Sequence, residues 1–161
     1  MSTDMFIKIG NIEGEAIDSV HKKEIDILGW SWGMSNSGSA HSGSGAGAGK
    51  ASVQDLTFTK FLDKSTPNLM MACVKGTHFP EADLTIRKAG ETPLEYVKIK
   101  LTEVLVTAVS AGGGNGQTRL TETITLNFAK FELAYQAQND KGGKEGGEIF
   151  AKYSISENKA F

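Results

Sequence analysis

Two stretches limit what this chain can fold into more than any others, Glu95–Ser110 and Arg119–Gln136. In the first, Val97, Ile99 and Leu101 alternate with Lys98, Lys100 and Thr102, the period-two pattern of a half-buried strand. Its second half, Val104-Leu-Val-Thr-Ala-Val109, is apolar on both faces, so both sides should be covered there. In the second stretch Leu120, Ile124, Leu126 and Phe128 share one face, opposite Thr121, Thr123, Thr125 and Asn127. Past Ala129-Lys130 the phase moves by one residue, to Phe131, Leu133 and Tyr135. A one-residue change of phase exchanges the two faces of a strand, and a β-bulge is the usual way to absorb it. Long strands that do this belong to curled sheets. The pattern predicts a mainly β fold, an antiparallel β-barrel or tight β-sandwich.

Shorter strands fit around these two. Met5-Phe-Ile-Lys-Ile9 ends at Gly10, and Asn11–Lys23 is polar and irregular with a turn at Gly14. Ala51–Thr59 reads as a strand, and Ala82, Leu84 and Ile86 alternate with Asp83, Thr85 and Arg87 before a turn at Ala89–Pro93. A polar loop, Asn139–Gly147, precedes a final strand, Ile149–Ile155. One flanking α-helix is expected over 66–75. Ser65 or Thr66 can cap it, Pro67 suits its first turn, and Gly76 suits the position just past its end. Leu69, Met70, Cys73 and Val74 form its predicted buried stripe, with Cys73 a small core residue rather than a nucleophile. The 161 residues suit a single domain, 1–161.

The stretch Glu24–Lys50 has a different character. Ile25 and Ile27 take one phase, and Leu28, Trp30, Trp32 and Met34 take the other, which places a bulge near Gly29. Trp30 and Trp32 are the expected core anchors. Gly29, Ser31 and Gly33 then share the opposite face, which is nearly bare of side chains; close packing against a neighbouring layer or plain solvent exposure accounts for that as well as a wall that must stay smooth and small does. A long extended Gly-rich loop follows over 35–50, carrying Ser35, Asn36, Ser39, His41, Ser44 and Lys50. Strands are usually joined by about 4–6 residues, and longer loops without structure of their own are functional or disordered. The end of this run resembles a phosphate loop, but Ser44 stands where the first glycine is required and Ala51 where Ser or Thr is required, and a strand follows instead of a helix.

Several function classes are set aside by the totals. A formal net charge of −2 provides no basic field for nucleic acid. No apolar run approaches the roughly 20 residues of a membrane-spanning helix, and the N-terminus has no signal-peptide pattern. Cytoplasmic synthesis is therefore expected, with any export by a route that reads no such peptide. Cys73 is the single cysteine, and the three histidines lie apart without ligand spacing, so no metal or cofactor is expected. Glu13/Glu15 and Glu145/Glu148 sit in loops where solvated charge is the ordinary meaning, and no nucleophile elbow is present. The chain does not read as an enzyme. A monomeric β-barrel that binds a ligand in a closed cavity is the alternative to a self-assembling subunit.

Several blocks together resemble the hemolysin-coregulated proteins (Hcp) of bacterial type VI secretion. They are Asp4-Met-Phe-Ile-Lys-Ile-Gly10, Glu24–Met34, Val53-Gln-Asp-Leu-Thr-Phe-Thr-Lys60, Asp63–Cys73, Leu84-Thr-Ile-Arg-Lys-Ala-Gly90 and Leu120–Phe128, in order over residues 4–136. The resemblance implies a β-barrel subunit of hexameric rings that stack into the inner tube of a contractile, phage-tail-like machine. Its partners would be other copies of itself, a surrounding sheath, a tip spike and effector proteins held in the ring lumen, and it would be secreted without a signal peptide. On that reading Gly29, Ser31 and Gly33 are candidate lumen residues. Ser35–Lys50 is a candidate ring-stacking loop.

Overall fold

The computed structural model describes residues 3–38, 50–90 and 92–161. The strands, in order, are β1 (Thr3–Ile9), β2 (Ile25–Asp26), β3 (Gly29–Ser31), β4 (Met34–Asn36), β5 (Ala51–Val53) and β6 (Leu56–Phe61). After the helix α1 (Ser65–Lys75) come β7 (His78–Lys88), β8 (Leu94–Gly112), β9 (Thr121–Tyr135), β10 (Ile149–Ser154) and β11 (Lys159–Ala160). All pairings are antiparallel, in the order β11-β10-β9-β8-β7-β1-β2, and β6 joins β9 to β3. β9 divides one edge between two partners. Thr121–Leu126 pair with β6, and Lys130–Tyr135 pair with β10.

The fold is thus mainly β and barrel-like, as the alternation predicted. Its seam is bridged rather than laddered. The Ile27 N–H donates to the Met5 carbonyl at 3.1 Å, and the next residue, Leu28, donates to the Thr59 carbonyl at 2.8 Å. The chain therefore changes partner from β1 to β6 between these two residues. The face change expected of a bulge near Gly29 comes from this change of partner and the break between β2 and β3.

The flip in β9 also has a different cause from the one expected. Phe128 and Phe131 both point into the core, and so do Val104 and Leu101 on β8. The β8/β9 register continues unbroken through Thr102↔Lys130 and Val104↔Phe128, so neither strand carries an extra residue there. Both strands turn over together. Glu103 takes φ +57°, and the Ala129 carbonyl accepts from Ile155 N–H at 2.8 Å, from the C-terminal segment. The β8/β9 register shift lies farther on, between Val106 and Ala108. A left-handed non-glycine residue costs about 1–2 kcal/mol, and at Glu103 it lets residues on both sides reach one core.

That core includes Ile7, Ile25, Leu56, Phe58, Leu84, Ile99, Leu101, Val104, Ile124 and Leu126. α1 closes onto it through Leu69 and Ala72, with Ser65 and Thr66 also buried. The expected stripe is only partly right, because Met70 and Val74 are exposed while Ala72 is buried. Gly76 ends the helix in the left-handed conformation, φ +65°. At the other end Lys64 holds the cap position without a side-chain cap bond; Asp63 Oδ1 accepts from the Ser65 N–H at 2.9 Å instead.

Candidate functional site: a hydroxyl-lined sheet face

Four strands, β3, β6, β9 and β8, present one outward face whose residues follow from register. Ser31 lies opposite Thr57, Thr57 opposite Thr125, and Thr125 opposite Ala108. In the adjacent row Gly29, Thr59, Thr123 and Ser110 follow one another in the same way. Directly opposed residues in an antiparallel pair share a face, so eight side-chain positions form a surface of Ser, Thr, Gly and Ala. The Thr57 and Thr125 hydroxyls lie 3.4 Å apart, and the Thr107 hydroxyl donates to the Thr125 carbonyl at 3.3 Å. Asn127, bonded to Asp55 at 2.9 Å, borders the face at one end; Arg119, 3.7 Å over the Phe61 ring, borders it at the other.

The inward sides of the same strands bear Trp30, Phe58, Ile124 and Val109. Trp30 and Trp32 are partly buried and pack against the core. The Trp32 indole N–H donates to the Gln54 carbonyl at 2.8 Å, and its ring meets Phe131 edge-on at 4.8 Å. Ser31 is exposed, whereas Gly29 and Gly33 are half-buried. A side chain at Gly29 would meet Thr59 Oγ1 at 3.7 Å, an ordinary contact, so packing does not demand a glycine there. At Gly33 the nearest atom is Gln54 Oε1, at 3.3 Å. Crowding thus does not account for the low relief at Gly29, whereas at Gly33 a side chain would press on Gln54.

The stacking-loop candidates fall partly within the described residues. Ser35 and Asn36 lie on β4, opposite Ser52 and Ala51 of β5, in a two-stranded ribbon separate from the main sheet. Lys50 is exposed just before β5. Ser39, His41 and Ser44 lie outside the described residues. The base of the loop is thus a paired ribbon, not a soft tether. It borders an apolar cleft of about 370 Å³ lined by Met34, Ala51, Val53, Phe131 and Tyr153 among others.

The second outward face has the opposite chemistry. Across β1, β7, β8, β9 and β10 run Lys8, Asp83, Lys100, Glu132 and Lys152 in one row of alternating sign. Burial pushes the Asp83 carboxyl above its usual range. The inner sides of the strands that carry the two faces belong to one sheet and one core.

Two polar clusters escaped sequence reasoning because their members look like surface charges. Lys60 Nζ is fully buried and reaches Glu122 Oε1 at 2.5 Å, Asp63 Oδ1 at 2.8 Å and Thr66 Oγ1 at 3.2 Å. Arg87 grips Asp18 through two bonds, 3.0 and 2.6 Å, and Asp4 through one of 3.1 Å. The Arg87 guanidinium holds the Asp18 carboxyl well below the usual carboxylate range, even though burial pulls the other way. Beside it His21 is buried between two carboxylates. The phase of Lys60 and Glu122, each between apolar neighbours on its strand's inner face, was the available signal. Among the described residues no group of three or more His, Cys, Asp or Glu is placed to hold a metal ion, and no helix is long and apolar enough to cross a membrane.

Known proteins share this fold. The family described as type VI secretion system effector, Hcp, matches residues 6–135. The chain is 60% identical over 159 residues to protein hcp1 of Pseudomonas aeruginosa, covering 98% of each chain. Hcp1 from Salmonella typhimurium superimposes with a TM-score of 0.83 at 38% identity over the whole of both chains. A structure described as a type six secretion system protein reaches 0.92 at 32% identity, over 98% of this chain and 99% of the other. With the family match spanning nearly every strand of the barrel-like sheet, and a relative this similar over almost its full length, the chain belongs to the Hcp family of type VI secretion.

Proposed function

We propose that this chain is a structural subunit of the secretion tube: six copies close into a ring, rings stack, and the hydroxyl face around Ser31 lines the lumen. The observation that carries this reading is the four-stranded sheet β3-β6-β9-β8 with that face on it and open edges at its two sides. Among the described residues β3 pairs only with β6, and β8 past Leu105 pairs only with β9. Two different open edges suit a head-to-tail contact, which generates a ring when the rotation closes. A wall of neutral hydroxyls and glycines leaves room for cargo and places no fixed charge against it. The charged row then faces outward, toward the sheath, and the β4–β5 ribbon carries the 35–50 loop to the next ring. The spike caps the tube, effector proteins occupy its lumen, and the subunit leaves the cytoplasm by being fired with its cargo. It performs no catalysis.

Native mass spectrometry combined with negative-stain imaging tests the ring. Six-membered rings with a central hole are expected. A stable monomer at micromolar concentration would sink the reading and favour a ligand-binding barrel.

A further inference from the structure

The segment Asn11–Glu24 folds back on itself and is held along the sheet. The Gly14 N–H donates to the Lys23 carbonyl at 2.8 Å and the Ala16 N–H to the Glu24 carbonyl at 3.0 Å. A Cβ on Gly14 would stand 2.4 Å from the Glu24 carbonyl oxygen, so only glycine permits this approach. The tip exposes two aliphatic side chains, Ile17 at 94% and Val20 at 68% of their surface. One ring from this segment is buried, that of His21, stacked on Phe6 with centroids 4.6 Å apart and 12° between planes.

Both nitrogens of that ring meet carboxylates. Nδ1 lies 2.8 Å from Glu24 Oε2, within the segment, and Nε2 lies 2.6 Å from Glu95 Oε1, on β8. A neutral imidazole has one N–H and one bare lone pair, so it can donate to only one of them. The charged neighbours are Asp18 and Glu24 from the segment, Asp4 from β1, Arg87 from β7 and Glu95 from β8. Asp18 Oδ2 also accepts the His21 backbone N–H at 3.2 Å, and the Arg87 guanidinium lies 5.3 Å from the Phe6 ring centroid. Arg87 answers Asp4 and Asp18, so an imidazolium is the positive charge that Glu24 and Glu95 meet. Glu95 also lines a cavity of about 520 Å³ that gives protons a way in.

We propose that His21 is a proton-operated latch: as the imidazolium it ties the Asn11–Glu24 segment to β8, and on losing a proton it turns a bare lone pair toward a carboxylate and loosens the segment from β8, leaving Asp18 on Arg87 as the tie of its Ile17–Val20 tip. Burial opposes the charge, yet the bonds to Glu24 and Glu95 outweigh it and raise the ring above its usual value of 6.5. A raised folded-state value means that the latch is fully closed below pH 6.5 and is lost as pH rises through that raised value.

Hydrogen exchange of peptides covering residues 14–23, corrected for the intrinsic rate and followed from pH 6 to pH 9, tests the latch in the assembled protein. Protection in the unaltered chain should fall by about tenfold for each unit separating the folded and unfolded pKa values. In His21→Gln, which cannot titrate, protection should not vary with pH. Glu95→Gln keeps a neutral acceptor for Nε2 and should move the midpoint to lower pH, which keeps the test open if the first variant folds poorly. Protection that is flat across this range in the unaltered chain, or that falls equally in His21→Gln, overturns the latch.

Discussion

At the scale of single residues, the interior holds charge where opposite charges meet, even when one atom of a group is left without a partner. Lys60 and Glu122 are cross-strand neighbours facing inward, and the Glu122 Oε2 atom has no hydrogen-bond partner. Removing one member of a buried pair typically costs about 3–5 kcal/mol, whereas replacing both with well-packed apolar residues is often neutral. Lys60→Met should therefore lose about 3–5 kcal/mol in denaturant unfolding. Lys60→Met combined with Glu122→Leu should recover most of that loss. Equal losses in the single and double variants would mean that packing, not charge, holds this end of the barrel. The observed alternation in Leu56–Phe61 and Thr121–Leu126 turns both residues inward, although the strand read from the sequence stopped at Thr59, short of Lys60. It carried no sign that they would meet, since the pairing joins positions 62 residues apart in the chain (122 − 60).

Elements show how far local pattern reaches. The helix ends where Gly76 places it and is buried through Leu69 and Ala72, whereas Met70 and Val74 stay exposed. Apolar spacing along the helix defined one stripe, and packing on the barrel buried Leu69 of that stripe together with Ala72, Ser65 and Thr66 from outside it. The second long strand changed phase where the sequence said it would, but the cause was a turn-over shared with the first, at Glu103 and Ala129, which no single strand reveals. For the Gly-rich loop, the paired ribbon at its base sharpens the expected outcome of shortening. Deleting 39–49 should leave β4–β5 paired and single rings intact, while tube length in electron micrographs falls sharply. Tubes of undiminished length would show that the loop has no part in stacking.

For the whole molecule, the proposed tube gives the two outward faces two separate roles. Ser31→Trp adds bulk to the hydroxyl face without touching the core. An exposed change of this kind usually alters stability by no more than about 0.5 kcal/mol, so ring assembly and melting should be preserved. Retention of lumen cargo in co-purification should fall by about tenfold, equivalent to about 1.4 kcal/mol. Unchanged retention would remove Ser31 from the wall. Most of the longer strands, the helix and its stop at Gly76 were readable along the chain, because alternation and glycine conformation act between residues close in sequence. So was the bareness of Gly29, Ser31 and Gly33, which is a property of one strand. That this bareness continues as Thr57, Thr125 and Ser110, that one carbonyl serves the C-terminal segment, and that His21 is buried between Glu24 and Glu95 depend on which distant strands lie side by side. Such pairings follow from packing a single core, whose energy is shared among all the strands at once.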